Sequence, residues 1–455
     1  NLIAGKLGQS LIGLANILFL LRILNKMDYG YYAFSVSLIT IFAVLAQFGL
    51  TSGLSRLINH HFNEKEEVKR IVMQSLVVQT GMVIVITIML YLVQIFYYPQ
   101  YNNYITTCFV IGEVGFLLSI VLSEHYFRSG RLFKEFAGIS LCNVLLGVAR
   151  LVGFIGPYLI TKNFAVSFMC FGLLQVIVSA YFFGKLFLKQ GLFQSFRIQK
   201  ISSLILNISM PFFIIAICNI LFTQIGNIII GKYLELNNVA DFDAAFRVIN
   251  IIRIPAVAFS FIISADVGKA IRDNEHEFME KTIDRNFNFF LLSLPVGAGI
   301  LMFSRQQMFM LGGAKYVQRY TLLNSLVIYF ICAFFSDSFS LTFDYSNSFR
   351  KRMYVVLVAA CVSIVLMLFL VKRYHLPGAS ISLTLAGLVQ LGIFYLLVRN
   401  EFKHRIRLDK YLVFILSATI VGVIGFTIGN IFLNIIIAIA ITSYFYFAKM
   451  FKYIF

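Results

Sequence analysis

Fourteen apolar runs of bilayer-spanning length leave this chain almost no freedom in fold class. They lie at about 2–24, 31–54, 71–97, 104–126, 136–158, 164–184, 204–230, 244–268, 286–310, 321–346, 353–371, 378–398, 411–428 and 431–448. Only Gly429-Asn430 separates the last two. In hydrocarbon every peptide group must be satisfied within its own segment, so runs of this length predict helices. With 60% of residues hydrophobic and 13% charged, the chain could not cover its own surface with polar side chains in water. No segment between apolar runs exceeds about 20 residues, which is too short for a soluble catalytic domain. The first run, with Lys6, Gln9 and Asn16 inside it, lacks a basic n-region and a small-residue cleavage site and reads as a spanning helix. The expectation is an all-α polytopic membrane protein of about fourteen helices, without cofactor or metal. The six cysteines lie far apart within apolar runs and read as small hydrophobes.

Orientation follows from the basic residues. Of 38 Lys and Arg, 25 fall in one set of alternate loops, from Arg56, Lys65, Lys69 and Arg70 at one end to Lys449 and Lys452 at the other. The opposite set carries seven: Lys26, Lys162, Lys232, Lys315, Arg319, Lys372 and Arg373. The positive-inside rule makes the first set cytoplasmic and puts both termini on that side. Most of the formal charge of +18 is therefore topological.

A faint repeat runs at an offset of 212. Leu24-Asn25 recurs as Leu236-Asn237, Ala33-Phe34-x-Val36 as Ala245-Phe246-x-Val248, and Ile39 as Ile251. These matches predict two six-helix lobes of like orientation, residues 1–188 and 204–398, joined by a cytoplasmic linker at 189–203. The pair at 411–449 would be accessory.

Six basic residues lie within or at the ends of helices: Lys6, Arg22, Arg150, Arg247, Arg253 and Arg305. At 100° per residue, Lys6, Gln9, Ser10, Gly13 and Asn16 share about 120° of the first helix. Ser140, Asn143, Gly147 and Arg150 share about 80° of the fifth. Asn250, Arg253, Ser260 and Ser264 share about 80° of the eighth, with Arg247 about 60° to one side. A basic central cavity would satisfy all three stripes, because a mid-helix Arg costs about 2.5–3.5 kcal/mol on insertion scales unless compensated. Compensation comes either from buried carboxylates, Glu113, Asp337 or Asp344, or from an anionic ligand such as phosphate, which matches the guanidinium fork. Arg22 and Arg305 lie near helix ends and read as residues snorkelling to the interface. Glu113 and Asp337 lie deeper than the other membrane carboxylates; each reads as a structural partner of a cavity Arg or as a coupling site for a proton or sodium.

Two apparent motifs carry no chemistry. Gly226–Lys232 reads GNIIIGK, one residue short of a Walker A pattern, with Tyr233 in place of the required Ser or Thr. His60-His61 has no companion ligands.

The stretches Gly8-Gln9, Leu21-Arg22-Ile23-Leu24, Asp28-Tyr29-Gly30-Tyr31-Tyr32 and Leu45-Ala46-Gln47-Phe48-Gly49-Leu50, followed by Arg56, carry a resemblance. So do Ala244-Ala245-Phe246, Gly312-Gly313-Ala314-Lys315-Tyr316 and Pro377-Gly378-Ala379-Ser380. Over nearly its whole length the chain resembles the Wzx-type lipid-linked oligosaccharide flippases of the multidrug/oligosaccharidyl-lipid/polysaccharide (MOP) exporter superfamily. The resemblance implies two six-helix lobes around a cavity that alternates between faces. It implies export of an undecaprenyl-diphosphate-linked repeat unit of O-antigen, capsule or exopolysaccharide across a bacterial cytoplasmic membrane, not an enzymatic reaction. Substrate contacts are then expected from Arg150, Arg253, Arg247, Lys6, Asn143, Asn250, Asn16 and Gln9, and ion coupling from Glu113 or Asp337. Membrane lipids, H+ or Na+ and glycan-assembly proteins would be partners; nucleic acid would not. The chain departs from the family pattern late in the seventh helix, where Asn227 replaces an Asp, and at Asp241-Phe242-Asp243, where relatives have Gly-Tyr-Tyr. The pattern from which a coupling role for that region would be borrowed is therefore absent here. The competing readings are a cation-coupled multidrug or metabolite antiporter, which would want carboxylates in its cavity, and a membrane glycan polymerase or ligase, which would want a larger external loop.

Overall fold

A computed structural model of the chain describes residues 2–49, 65–97, 103–132, 135–190, 203–272, 293–345 and 349–401. Every described element is helical. In chain order they are α1 (Leu2–Ile23), α2 (Lys26–Gln47), α3 (Lys65–Tyr97), α4 (Asn103–Leu132), α5 (Phe136–Thr161), α6 (Phe164–Lys189) and α7 (Ser203–Tyr233). There follow α8 (Leu236–Arg272), α9 (Ser293–Gly312), α10 (Ala314–Val317), α11 (Tyr320–Ser325), α12 (Val327–Tyr345) and α13 (Phe349–Glu401). Eight stretches among the described residues are long and apolar enough to cross a membrane, and the chain is a multi-pass integral membrane protein. The expected helices at 411–428 and 431–448, Arg56 and His60-His61 lie outside the described residues.

Local sequence sets the helix ends. Asn25 caps α2, its side chain accepting from the Asp28 amide at 2.7 Å while its Nδ2 donates to the Asp28 carboxylate at 2.9 Å. Asn163 caps α6 by accepting from the amides of Ala165 and Val166. Just before it, Lys162 closes α5 in the left-handed conformation (φ 51°), so two residues suffice to reverse the chain.

One boundary differs from the hydropathy reading. The helix expected from about 244 begins at Leu236, which places Asp241-Phe242-Asp243 inside α8 and not at a junction. Hydropathy marks the part of a helix that suits lipid, whereas backbone hydrogen bonding continues past it wherever polar side chains find partners. The runs at 353–371 and 378–398 are two helices within α13, meeting at the non-helical His375 (φ 55°, ψ −135°) just before Leu376-Pro377, where Gly378 comes against the Leu370 carbonyl. Proline lacks the amide that would continue the first helix, and the positive φ at His375 ends it.

The described residues divide into two compact units with boundaries at Asp28/Tyr29, Ala33/Phe34 and Gln224/Ile225. In the first, α4 and α6 pack against each other at backbone distance. A Cβ on Gly112 would lie 2.5 Å from the Phe168 carbonyl oxygen, one on Gly115 would lie 2.7 Å from the Gly172 carbonyl carbon, and one on Gly172 would strike the Gly112 carbonyl. Small residues are favoured where membrane helices meet because lipid tails are as apolar as leucine, leaving dispersion and hydrogen bonds to drive association. Ser119 and Ser179 hydroxyls share a hydrogen bond of 2.7 Å across the same pair, and Gln175 Nε2 donates to the Leu146 carbonyl of α5 at 2.8 Å. α1 packs on α5, where a Cβ on Gly147 would come within 2.9 Å of Ile12.

The second unit, which includes Tyr29–Ala33 from the start of α2, is built on larger side chains. Phe242 stacks on Phe246 and Phe246 on Tyr329, with ring centroids 5.9 and 5.7 Å apart. Gly226 leaves room for the Phe242 ring, which a Cβ would approach to 2.8 Å. Gly30 lies against the Leu236 carbonyl so closely that no larger residue fits.

Candidate functional site

Polar and charged groups gather on α8 of the second unit. Asp243, two turns into the helix and 5% exposed, accepts from the Tyr29 hydroxyl at 2.6 Å and from Asn227 Nδ2 at 3.0 Å. Arg247, one turn on, pairs with the same carboxylate. Asp241, 2% exposed at its side chain, pairs with Arg319 at 3.2 Å, and Tyr316 packs edge-on against Tyr29. Burial first, and the two nearby carboxylates Asp241 and Asp243 second, push the Tyr316 phenol well above its usual range. Two further turns along α8, Arg253 pairs with Asp337 of α12 at 2.6 Å.

Each pairing follows from the cost of an isolated charge in a nonpolar surround. Two charges removed from water are tolerable only when their attraction and further hydrogen bonds offset lost hydration. Asp243 meets that condition with three donors. Arg253–Asp337 meets it in part, since the Asp337 side chain keeps 31% of its exposure.

In the first unit, Arg150 of α5 lies with its guanidinium carbon 5.6 Å from the centre of the Phe116 ring on α4, a cation–π distance. Glu113 sits one turn before Phe116 and is 1% exposed. Asn143 and Asn16 are buried at 6% and 5% on the adjoining helices α5 and α1, and Asn16 Oδ1 has no hydrogen-bond partner among the described residues. A second carboxylate, Asp28, accepts from the Tyr158 hydroxyl at 2.7 Å.

Of the residues singled out from sequence, the structure therefore gathers Arg247 and Arg253 with carboxylates, and Arg150 with the α4 face that carries Phe116. Asn250 is exposed on α8. Lys6 and Gln9 lie on α1; their side chains are outside the described residues. The Asp243 centre was not anticipated as a site. Of its residues Arg247 stood out as a candidate substrate contact, whereas Asn227, Asp241 and Asp243 stood only as departures from a family pattern, and the partner Tyr29 lies 214 positions from Asp243. The available signal was two carboxylates, Asp241 and Asp243, six and four residues before Arg247 near the head of a long helix, a pattern that demands donors.

Comparison with known proteins decides the family. The sequence model of a family described as polysaccharide biosynthesis protein matches residues 1–265, more than half of the chain. The chain belongs to that family. No curated protein matches it in sequence. Among solved structures it is similar to lipid II flippase MurJ in an inward closed conformation, with TM-score 0.75 and 13% identity over 99% of this chain and 98% of that one. It is also similar to an inward-facing multidrug resistance MATE family transporter of the MOP superfamily, with TM-score 0.69 and 17% identity over 87% and 94%. A third likeness is to a MOP superfamily transporter from Pyrococcus furiosus, described as having a binding pocket of reverse polarity that suggests a different function, with TM-score 0.63 and 16% identity over 88% and 94%. The fold is that of the MOP-superfamily transporters.

Proposed function

We propose that the chain is a flippase that carries a prenyl-diphosphate-linked oligosaccharide from the cytoplasmic to the outer leaflet of a bacterial cytoplasmic membrane by alternating access. The observation that carries this reading is the polysaccharide-biosynthesis family match over residues 1–265 on a chain whose long helices retain arginines at Arg150, Arg247 and Arg253. Family and fold put the chain among transporters, and no catalytic step is needed for the task proposed. Guanidinium groups suit the diphosphate by charge and by planar, two-pronged donation. Carboxylate pairing of Arg247 and Arg253 keeps those cations tolerable while the substrate is away, and a diphosphate would compete for the same donors. The polar residues Asn16, Asn143, Asn250 and Gln9, with Lys6, would meet the sugars. A membrane potential of 100 mV, negative inside, is worth about 2.3 kcal/mol per charge, so a dianionic headgroup moving outward would gain about 4–5 kcal/mol if the protein's own charges return unchanged.

A cation-coupled antiporter is the second reading. It is favoured by one observation, the partly exposed carboxylate of Asp337 beside Arg253, and would make Asp337 or Glu113 the coupling site.

Native mass spectrometry of gently extracted protein separates the two. A prenyl-diphosphate glycan that rides with wild type and is lost from the Arg150→Ala/Arg253→Ala variant supports the flippase. Bulk phospholipid alone on wild type, with cationic compounds binding in competition with protons or sodium, would replace it with the antiporter.

A further inference from the structure

At the end of the first unit where α4 finishes, α5 begins and α6 finishes, a recess of about 310 Å³ is lined by Tyr126, Glu135, Gly138, Leu141, Lys185 and Lys189, among others. Three kinds of donor converge on it. Tyr126 is 4% exposed and anchored among Ile139, Cys142, Leu146, Phe182 and Leu186; its hydroxyl abuts Gly138, where no Cβ would fit, and makes no hydrogen bond among the described residues. Ala137 and Gly138 of the first turn of α5 also line the recess, and Glu135 at the N-cap position gives the amides of that turn no side-chain cap. Such amides point at the space before the helix and favour an anion there. The third donor is the Lys185 ammonium, one turn before Lys189. Glu135 is committed to Lys189, which leaves Lys185 unneutralised among the described residues, and the three charges sum to one positive.

The flank of this recess is apolar. Leu141 and Leu145 on α5 and Tyr181 and Leu188 on α6 are exposed, although α5 and α6 are both of membrane-spanning length and hydropathy. Lipid chains are the solvent such side chains require. The same helix ends carry Arg128, Arg131 and Lys134 in the adjoining sequence, on the side where the positive-inside rule places anionic lipid. A polar recess with a tyrosine hydroxyl, helix amides and one uncompensated lysine, opening beside apolar side chains, suits a phosphodiester attached to acyl chains.

We propose that this recess is a binding site for the phosphate headgroup of an anionic phospholipid. The phosphodiester accepts from the Tyr126 hydroxyl and the α5 amides, faces Lys185, and lays its acyl chains along Leu141 and Leu145. The site involves none of the arginines assigned to substrate, so it stands or falls independently of the transport reading.

The test uses the full chain in phosphatidylcholine nanodiscs, titrated with short-chain phosphatidylglycerol and read by native mass spectrometry of the released protein. Wild type should retain one phosphatidylglycerol in preference to phosphatidylcholine. Lys185→Gln should weaken retention about tenfold and Tyr126→Phe, which keeps the ring in place, about fivefold; Arg150→Ala/Arg253→Ala should leave it unchanged. Equal retention of phosphatidylcholine by wild type, or undiminished phosphatidylglycerol on Lys185→Gln, would overturn the proposal. So would displacement by inorganic phosphate at the same concentration as the lipid, which would mark a free-anion site, or by a prenyl diphosphate at lower concentration, which would mark a substrate site. If Tyr126→Phe melts early in phosphatidylcholine, the exposed Lys185→Gln variant decides alone.

Discussion

The two units hold together by different means. In the first, α4 and α6 meet through Gly112, Gly115 and Gly172 with a serine–serine hydrogen bond farther along; the association rests on backbone proximity and close dispersion contact. In the second, α8 is tied by charge, with Asp243 serving three donors and Arg253 and Arg319 each bound to a carboxylate. Close glycine packing forms one arrangement and offers little to exchange. An ion pair can exchange one partner for another anion. The second unit thus has the chemistry for changing partners, and the first has the chemistry of a fixed frame.

Removing the hub should show the contrast most strongly. Asp243→Ala leaves the half-buried Arg247 without its carboxylate, and breaking a buried pair costs about 3–5 kcal/mol; the folded fraction surviving a heating series in detergent should collapse well below that of wild type. Asp243→Ala/Arg247→Met should recover much of the loss, since the unpaired charge is then gone. Equal damage in the single and double variants would show that the hub acts through Tyr29 and Asn227 instead.

Gly172→Leu should come next, at about 3 kcal/mol, because the new side chain meets the Gly112 backbone, which cannot move aside as a flexible side chain would. The same heating series measures it, and a melting point within a degree of wild type would mean that α4 and α6 are not held at backbone distance. Ser119→Ala should be the smallest effect, about 0.6 kcal/mol, the average for a hydrogen bond between membrane helices. A loss comparable to Asp243→Ala would erase the distinction between the units.

The contrast was half legible in advance. Arg247, Arg253 and Asp337 stood out because an ionisable residue in an apolar run is costly wherever it ends up, and a carboxylate partner for Arg253 was among the compensations expected. Gly112 and Gly172 did not stand out, since glycine is common in membrane helices and only the facing helix shows what it makes room for. Asp243 escaped notice because hydropathy began its helix eight residues late, and because its donor Tyr29 comes from the head of α2. Tyr126 lies at the end of an apolar run with nothing local to mark it; its hydroxyl is informative only beside Gly138 and the start of α5.

Sequence by itself determined that this is an all-helical, multi-pass membrane protein and which of its apolar runs carry charge, because those properties depend on the transfer of each segment between water and lipid. Which helices pack at backbone distance, which carboxylate answers which arginine and where a lysine is left uncompensated were decided only by tertiary structure. Those outcomes depend on distances of a few ångströms between residues tens to hundreds of positions apart, and no local pattern encodes them.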